Sequence, residues 1–233
     1  MKSATTACWS FLSAIVLAIV AGLGTPALSV PATTFVDSTT PGYYNDALGT
    51  VLDQTNPYAG TYLFPGADLV DGDPLLATAP EPDLSAAAGI LGDWLVNPAA
   101  LNANWHGPEV VPNTWDLNAE TGIVYAIDAG SAGLESLTVQ VGVDNGAFIW
   151  FDGSYLLGGL SPGYAILGEY TVNLSNISPG THYLQILLED HGSQNSFLVE
   201  VSGVPNTIPA PGAMLLGSLG AVVVGWFRGR RAL

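Results

Sequence analysis

The sequence contains almost no cysteine and almost no positive charge. Its single cysteine is Cys8, which lies in an apolar stretch near the N-terminus. Residues 30–207 therefore contain no thiol, so this segment forms no disulfide, binds no metal through sulfur and uses no cysteine nucleophile. Four residues supply all the Lys and Arg of the chain: Lys2, Arg228, Arg230 and Arg231.

The same segment, residues 30–207, carries all 20 Asp and Glu residues of the chain. A segment without Lys or Arg cannot neutralise phosphates, which excludes nucleic acid and an anionic membrane surface as its partners. Its carboxylates must be balanced by water, backbone amides, histidines or dissolved cations. Two interpretations remain open: a solubilising acidic surface, or carboxylates that chelate Ca²⁺.

Residues 1–29 have the pattern of a secretory signal peptide. Lys2 precedes an apolar run over residues 7–24, and Ala27 and Ser29 give the small-x-small pattern that a signal peptidase cleaves. The alternative is an N-terminal membrane helix that is never cleaved. Because the small residues after the apolar run favour cleavage, we expect the protein to be exported.

The C-terminal segment, residues 204–233, predicts a transmembrane helix followed by a basic tail. No charged residue occurs over residues 208–227, and as a helix this stretch rises about 30 Å, the thickness of the hydrocarbon core. We place the helix at residues 209–227. Trp226 and Phe227 suit the membrane interface, and the arginines after them keep the tail in the cytoplasm by the positive-inside rule. The segment is thus expected to anchor the exported part to the membrane.

This segment resembles the PEP-CTERM sorting signal of bacterial exported proteins, which consists of a Pro-x-Pro element, a short apolar helix and an Arg-rich end. The resemblance implies recognition by an exosortase-type protease-transpeptidase, cleavage near the Pro-x-Pro element, and delivery to the cell surface or to an extracellular biofilm matrix. Ala210 departs from the pattern, in which Glu is usual. The alternative is a plain membrane anchor that is never processed. The residues that carry the likeness are Pro209, Ala210, Pro211, Arg228, Arg230 and Arg231.

Residues 30–83 are rich in Thr, Pro, Gly and Asp, which predicts an irregular arm or a few short strands. Within this arm Asp68, Asp71 and Asp73 cluster around a glycine, and closely spaced carboxylates suit a hard cation such as Ca²⁺. The spacing does not match that of an EF-hand loop, and a solvated acidic turn is the alternative.

Residues 84–203 are expected to form a β-domain. Apolar residues at three- and four-residue intervals predict one short helix over residues 84–97, and after Gly122 the apolar period changes to two. Turn signals at residues 144–146 and 152–153, among others, separate the alternating runs. The predicted fold class is all-β, an antiparallel β-sandwich or jelly roll. The alternating apolar residues are Leu137, Val139, Val141 and Val143, then Leu184, Ile186 and Leu188, then Phe197, Val199 and Val201.

Residues 143–153 and 178–186 resemble a run found in carbohydrate-binding β-sandwiches of the protective-antigen type and in galactose-binding-like jelly rolls. The run reads Asp-Asn-Gly, then Phe-Ile-Trp-Phe-Asp-Gly, then Pro-Gly-Thr-His-Tyr. The basic residues that often accompany this pattern are missing here. The resemblance implies that the domain binds extracellular polysaccharide.

Alternation along the strand places Phe148 and Trp150 on one side and Ile149 and Phe151 on the other. In a sandwich only one side faces the core, so the other apolar pair is either covered by the arm or exposed as a platform. If it is exposed, Trp150 offers its ring to a sugar, and the neighbouring polar groups accept hydrogen bonds directly or through Ca²⁺. The predicted carbohydrate site consists of Asp144, Asn145, Trp150 and Asp152.

The sequence contains no nucleophile elbow, zinc-protease helix, phosphate-binding loop or dinucleotide fingerprint. Glu189 and Asp190 beside His191 can form an acid/base group, but charged residues are routine where a strand ends before a glycine. We therefore interpret the chain as a surface or matrix protein that binds polysaccharide and is not an enzyme. The alternatives are a purely structural surface protein and a glycan-degrading enzyme with two facing carboxylates. The polar candidates are His106, His182, His191, Glu189 and Asp190.

Overall fold

A computed structural model of the chain describes residues 30–52, 63–64, 79–161, 163–190 and 194–207, together with Gly220. The predicted signal peptide, most of the sorting segment with its arginines, and the Asp68, Asp71 and Asp73 cluster lie outside the described residues. These assignments stay predictions. Within the described part of the chain, no helix is both long enough and apolar enough to span a membrane.

The described residues form a mostly β structure in which every strand pair is antiparallel. A 3₁₀ turn at Ser85–Ala87 runs into one short helix, α1 (Ala88–Leu91). The strands are β1 (Thr33–Val36), β2 (Pro41–Gly49), β3 (His106–Val110), β4 (Glu120–Asp128), β5 (Leu134–Phe151), β6 (Ser154–Ser161), β7 (Tyr170–Ile177), β8 (Thr181–Glu189) and β9 (Ser196–Pro205).

The strand order is β1-β9-β5-β8-β4-β2-β3, with β6 and β7 also paired to β5. Strand β5 is 18 residues long and changes partners along its length. Residues 134–144 pair with β9, and most of this stretch also pairs with β7, whereas residues 145–151 pair with β6 and β8. One strand therefore joins two parts of a curled sheet. The first part contains β1, β7 and β9, and the second contains β2, β3, β4, β6 and β8. The all-β antiparallel prediction is confirmed.

The two parts of the sheet share one apolar core. Side chains of both parts contribute to it, and the alternating residues predicted to be buried are buried. Burial of each such side chain contributes about 1.5–3 kcal/mol, so this cluster is the main source of the fold's stability. The predicted residues in this cluster are Leu137, Val139, Val141, Val143, Leu184, Ile186, Leu188, Phe197, Val199 and Val201.

A second apolar cluster covers the opposite face of the second part of the sheet. Phe148 and Trp150 of β5 lie beneath a cover that includes Phe64, Leu91 and Trp94. The rings of Phe64 and Phe148 are stacked with centroids 4.4 Å apart. Both faces of the second part are therefore buried, which explains why β5 is apolar on both sides around residue 150.

The predicted turn at residues 144–146 is wrong, because β5 continues through it. The Asp-Asn-Gly sequence instead lies where β5 passes from its first set of partners to its second, and the Asp144–Asn145 peptide bond is cis. Gly146 is required there for close packing, since a Cβ atom would overlap the ring of Phe64. The predicted turn at residues 152–153 is confirmed: Asp152 and Gly153 have φ of 49° and 73° and connect β5 to β6.

The helix predicted over residues 84–97 is much shorter than expected. It ends at Leu91, because Gly92 has a positive φ of 63°, which is incompatible with continuing a right-handed helix. Where the structure describes the segment over residues 30–83, it contains short strands, the second of the two possibilities that the sequence left open. Strands β1 and β2 lie within it, and they pair with β9 and β4 as integral strands of the sheet.

Candidate functional site

Trp150, the centre of the predicted sugar site, is fully buried. Its indole Nε1 donates to Glu81 Oε1 at 2.7 Å, and its ring meets the edge of Trp94 with centroids 5.6 Å apart. The ring of Tyr155 lies 5.5 Å away on another side. The prediction of an exposed Trp150 platform is therefore wrong, because the segment around Trp94 covers this face. The alternative interpretation, in which the Phe148 and Trp150 side of the strand is covered, is the one that the structure shows.

The polar residues of the predicted sugar site are not brought together. Asp144 and Asn145 are buried, and Asn145 Nδ2 donates to Asp144 Oδ1 at 3.0 Å. Asp152 lies in the turn at the far end of this part of β5, about 20 Å away along an extended strand. An extended backbone cannot fold these side chains onto one sugar, so the predicted grouping is wrong as a single site.

Asp152 instead belongs to a cluster with His182 and Ser178. Asp152 Oδ2 lies 2.6 Å from His182 Nδ1, and His182 Nε2 lies 2.9 Å from the Ser178 carbonyl and 3.3 Å from its hydroxyl. The Tyr183 amide donates to the other Asp152 oxygen at 2.8 Å. A carbonyl oxygen accepts only, so Nε2 carries a proton and is not a base toward Ser178. This constellation resembles a catalytic triad in composition but acts as a structural clamp between two turns.

The Asp152–His182 pair makes stability depend on pH. Burial alone would lower the pKa of His182, but the hydrogen bonds to Asp152 and to the Ser178 carbonyl, with the charge of Asp152, raise it above 6.5. A raised folded-state pKa gives stability that is complete below the unfolded pKa and is lost as pH rises through the folded value. We expect the wild type to exceed His182→Gln in Tm by more at about pH 5.5 than at about pH 8.5.

His106→Gln is the matched control for this measurement. His106 Nε2 lies 3.3 Å from Asp46 Oδ1, but both side chains are about half exposed, and such surface pairs contribute little. Its Tm difference from the wild type should be nearly the same at both pH values. A His182→Gln difference in Tm that is equally independent of pH would show that the Asp152–His182 pair does not titrate with folding.

A separate groove of about 290 Å³ has the chemistry of a binding site. Val111 and Leu188 contribute its apolar walls. We call it the Trp115 groove, and its polar and aromatic residues are Tyr44, Asp46, Thr114, Trp115, Asp116 and Thr121. Ligand pockets of drug size span about 300–1,000 Å³, so this groove suits a small ligand or one unit of a longer chain.

Several strands and one loop place these side chains. Tyr44 and Asp46 are two residues apart on β2 and therefore share a face, and Thr121 lies on β4. Thr114, Trp115 and Asp116 belong to the loop between β3 and β4. The Tyr44 ring is stacked on His106, with centroids 4.9 Å apart, which fixes the side of the groove formed by β2.

The loop that carries Trp115 is held in one conformation by Asn195. The Trp115 amide donates to Asn195 Oδ1 at 3.1 Å, and Asn195 Nδ2 donates to the Trp115 carbonyl at 2.9 Å. The Trp115 indole donates to the Ala119 carbonyl at 2.8 Å, and the Asn118 amide donates to Asp190 Oδ2 at 2.7 Å. The half-buried Trp115 ring is thus presented on a rigid loop, which limits the entropy lost when a ligand binds.

The electrostatics of the groove are negative. Burial, and then the nearby carboxylates of Glu109 and Asp46, raise the pKa of Tyr44, so its hydroxyl stays protonated. Among the described residues, no group of three or more His, Cys, Asp or Glu side chains is arranged to hold a metal ion. The groove therefore offers aromatic rings, hydroxyls and carboxylate acceptors.

Sequence reasoning did not find the Trp115 groove. Its residues come from β2, β4, β8 and the loop over residues 111–119, which have no common spacing in the sequence. One signal was available: Asn-Thr-Trp-Asp at residues 113–116 places a tryptophan among polar residues in a loop. Of the catalytic candidates, Glu189 and Asp190 are buried and accept backbone amides of Leu63 and Asn118, whereas His191 lies outside the described residues.

No protein-family model and no curated protein matches the sequence. Among solved structures, the chain is similar to a PA14 sugar-binding domain from an RTX adhesin, with 15% identity over 82% of this chain and 77% of that chain, at a TM-score of 0.29. It is similar to the PA14 domain of the MpAFP antifreeze protein, with 14% identity over 79% and 90% of the two chains, at a TM-score of 0.30. An anti-sigma factor domain-containing protein gives 15% identity over 44% of this chain, at a TM-score of 0.32. The chain spans only 43% of that protein's length. Likenesses at this level carry no argument about function.

Proposed function

We propose that this chain is an exported surface or matrix protein that binds extracellular polysaccharide through the Trp115 groove of a β-sandwich, without turnover. The observation that carries the proposal is a half-buried tryptophan held rigidly beside Asp46 and Asp116 in one groove. An aromatic ring packs on the apolar face of a sugar, and carboxylate and hydroxyl oxygens accept hydrogen bonds from its hydroxyl groups. Export, membrane anchoring and sorting by an exosortase-type enzyme belong to the same proposal and rest on the sequence.

The test is binding of the full chain to a glycan array, followed by titration with the best ligand. Trp115→Ala should weaken binding at least tenfold, a loss of about 1.4 kcal/mol, because the stacking surface is removed. Tyr164→Ala is the control, since Tyr164 is 71% exposed and does not line the groove. This control should bind as tightly as the wild type.

Because Trp115 also packs against the main core, its loss can affect folding. Asp116→Ala provides a second variant at an exposed position, and it should weaken binding while leaving the Tm unchanged. A wild-type chain that binds no glycan would support the structural alternative. Release of new reducing ends during the titration would instead support a glycan-degrading enzyme that uses the carboxylates of the groove.

A further inference from the structure

We propose that the Trp115 groove selects polysaccharide units that carry a free, protonated amino group. This inference rests on the proposed function and specifies its ligand class. The groove places two carboxylates, Asp46 and Asp116, beside the rings of Tyr44 and Trp115. A ligand unit that enters it brings its substituents next to negative charge.

The positive charge available to these carboxylates inside the protein is small. Residues 30–207 contain no Lys or Arg. Asp46 has His106 at 3.3 Å, and about half of each of these two side chains is exposed to water. Glu109 adds negative charge close to the groove, because it contributes to the raised pKa of Tyr44. The site therefore has an excess of negative charge that a cationic ligand can balance.

The sign of the ligand's charge decides which glycans fit. An anionic unit, such as a uronic acid or a sulfated or phosphorylated sugar, would place a negative charge next to Asp46 and Asp116. It would also remove water from these carboxylates without supplying a positive charge in its place, which is unfavourable. A neutral sugar would displace the same water and return only hydroxyl hydrogen bonds. An ammonium group donates three charge-assisted hydrogen bonds to acceptors of this kind, which are stronger than neutral ones. The groove thus favours amino sugars over neutral sugars, and neutral sugars over anionic ones.

The experiment compares hexamers of glucosamine, of N-acetylglucosamine and of galacturonic acid, titrated into the full chain. At about pH 6 the free amine is largely protonated, since aliphatic amines of this type titrate near pH 8. We expect the glucosamine hexamer to bind at least tenfold more tightly than its acetylated counterpart. The preference should weaken with added NaCl, and the galacturonic acid hexamer should not bind.

Overall charge must be separated from the charge of the groove, because the chain has a formal net charge of −16. The double variant Asp46→Asn with Asp116→Asn should lose the tenfold preference. Glu135→Gln with Glu200→Gln changes the net charge equally outside the groove and should keep it. If Asp46→Asn disturbs folding through His106, the single variant Asp116→Asn gives the same comparison with a smaller loss.

Each remaining outcome identifies which statement fails. Equal affinity for the amino and acetylated hexamers would overturn the selection of amino sugars and leave polysaccharide binding in place. A preference that survives in the groove variants, or that is lost equally in the Glu135 and Glu200 variants, would also overturn it. Failure to bind any glycan on the array would overturn the proposed function itself.

Discussion

Replacing Trp150 with alanine is expected to lower the free energy of unfolding by about 3–5 kcal/mol. The indole is fully buried and packs against Phe148, Trp94 and Tyr155, so its removal leaves a cavity that rigid neighbours cannot close. Glu81 also loses the hydrogen bond that it accepts from the indole at 2.7 Å. The expected fall in Tm is roughly 6–20 °C for a domain of this size.

Thermal and urea denaturation measure this change, with Tyr164→Ala as a control because Tyr164 is exposed. Glu81→Ala separates packing from hydrogen bonding, since it removes the acceptor of the indole N–H but keeps the indole in place, and it should cost much less than Trp150→Ala. A Trp150→Ala protein that keeps its Tm within a few degrees while losing polysaccharide binding would restore the exposed platform and contradict the burial described above.

Replacing Gly153 with alanine is expected to destabilise the protein by about 2–5 kcal/mol, from two additive causes. Gly153 has φ of 73°, which costs an alanine about 1–2 kcal/mol. In addition, a Cβ atom there would overlap the Leu95 carbonyl oxygen, so the segment that covers Trp150 would have to move. Overpacking of this kind costs about 1–3 kcal/mol.

Gly130→Ala isolates the first cause. Gly130 has φ of 67°, but a Cβ atom there would meet nothing within 4 Å. We therefore expect Gly130→Ala to cost about 1–2 kcal/mol, less than Gly153→Ala, when both are measured by urea denaturation. Equal losses for the two variants would show that the approach of Leu95 to the turn does not constrain the fold.

The strands were predictable because their apolar period is local. Val139 and Val141 alternate with polar residues. This alternation within a strand's own sequence is enough to predict that the strand is half-buried. The turn at Asp152 and Gly153 was equally predictable, because only a few residue types tolerate positive φ at adjacent positions. These features depend on neighbours within a few residues along the chain.

The remaining features depend on contacts between distant residues. The residues next to Trp150 in the sequence give no indication that Trp94 and Glu81 cover its side chain. The Asp-Asn-Gly sequence at residues 144–146 has the composition of a turn, yet pairing with different strands before and after it keeps the backbone extended. The Trp115 groove was missed for the same reason, since Asn195 fixes its loop from 80 residues away along the chain.

The pairing of β1 with β9 has a consequence for the time course of folding. Thr34 lies opposite Ser202 and Val36 opposite Val201, so the first strand of the sheet is completed only by the last. Such distant pairing places a chain among slow folders, with folding times of about milliseconds to seconds. Synthesis at about 5–20 residues per second adds a longer delay, on the order of 10 s or more between the two strands. During that interval β1 lacks its partner strand, because β9 has not yet been synthesised. The sheet can close only after the end of β9 has been made.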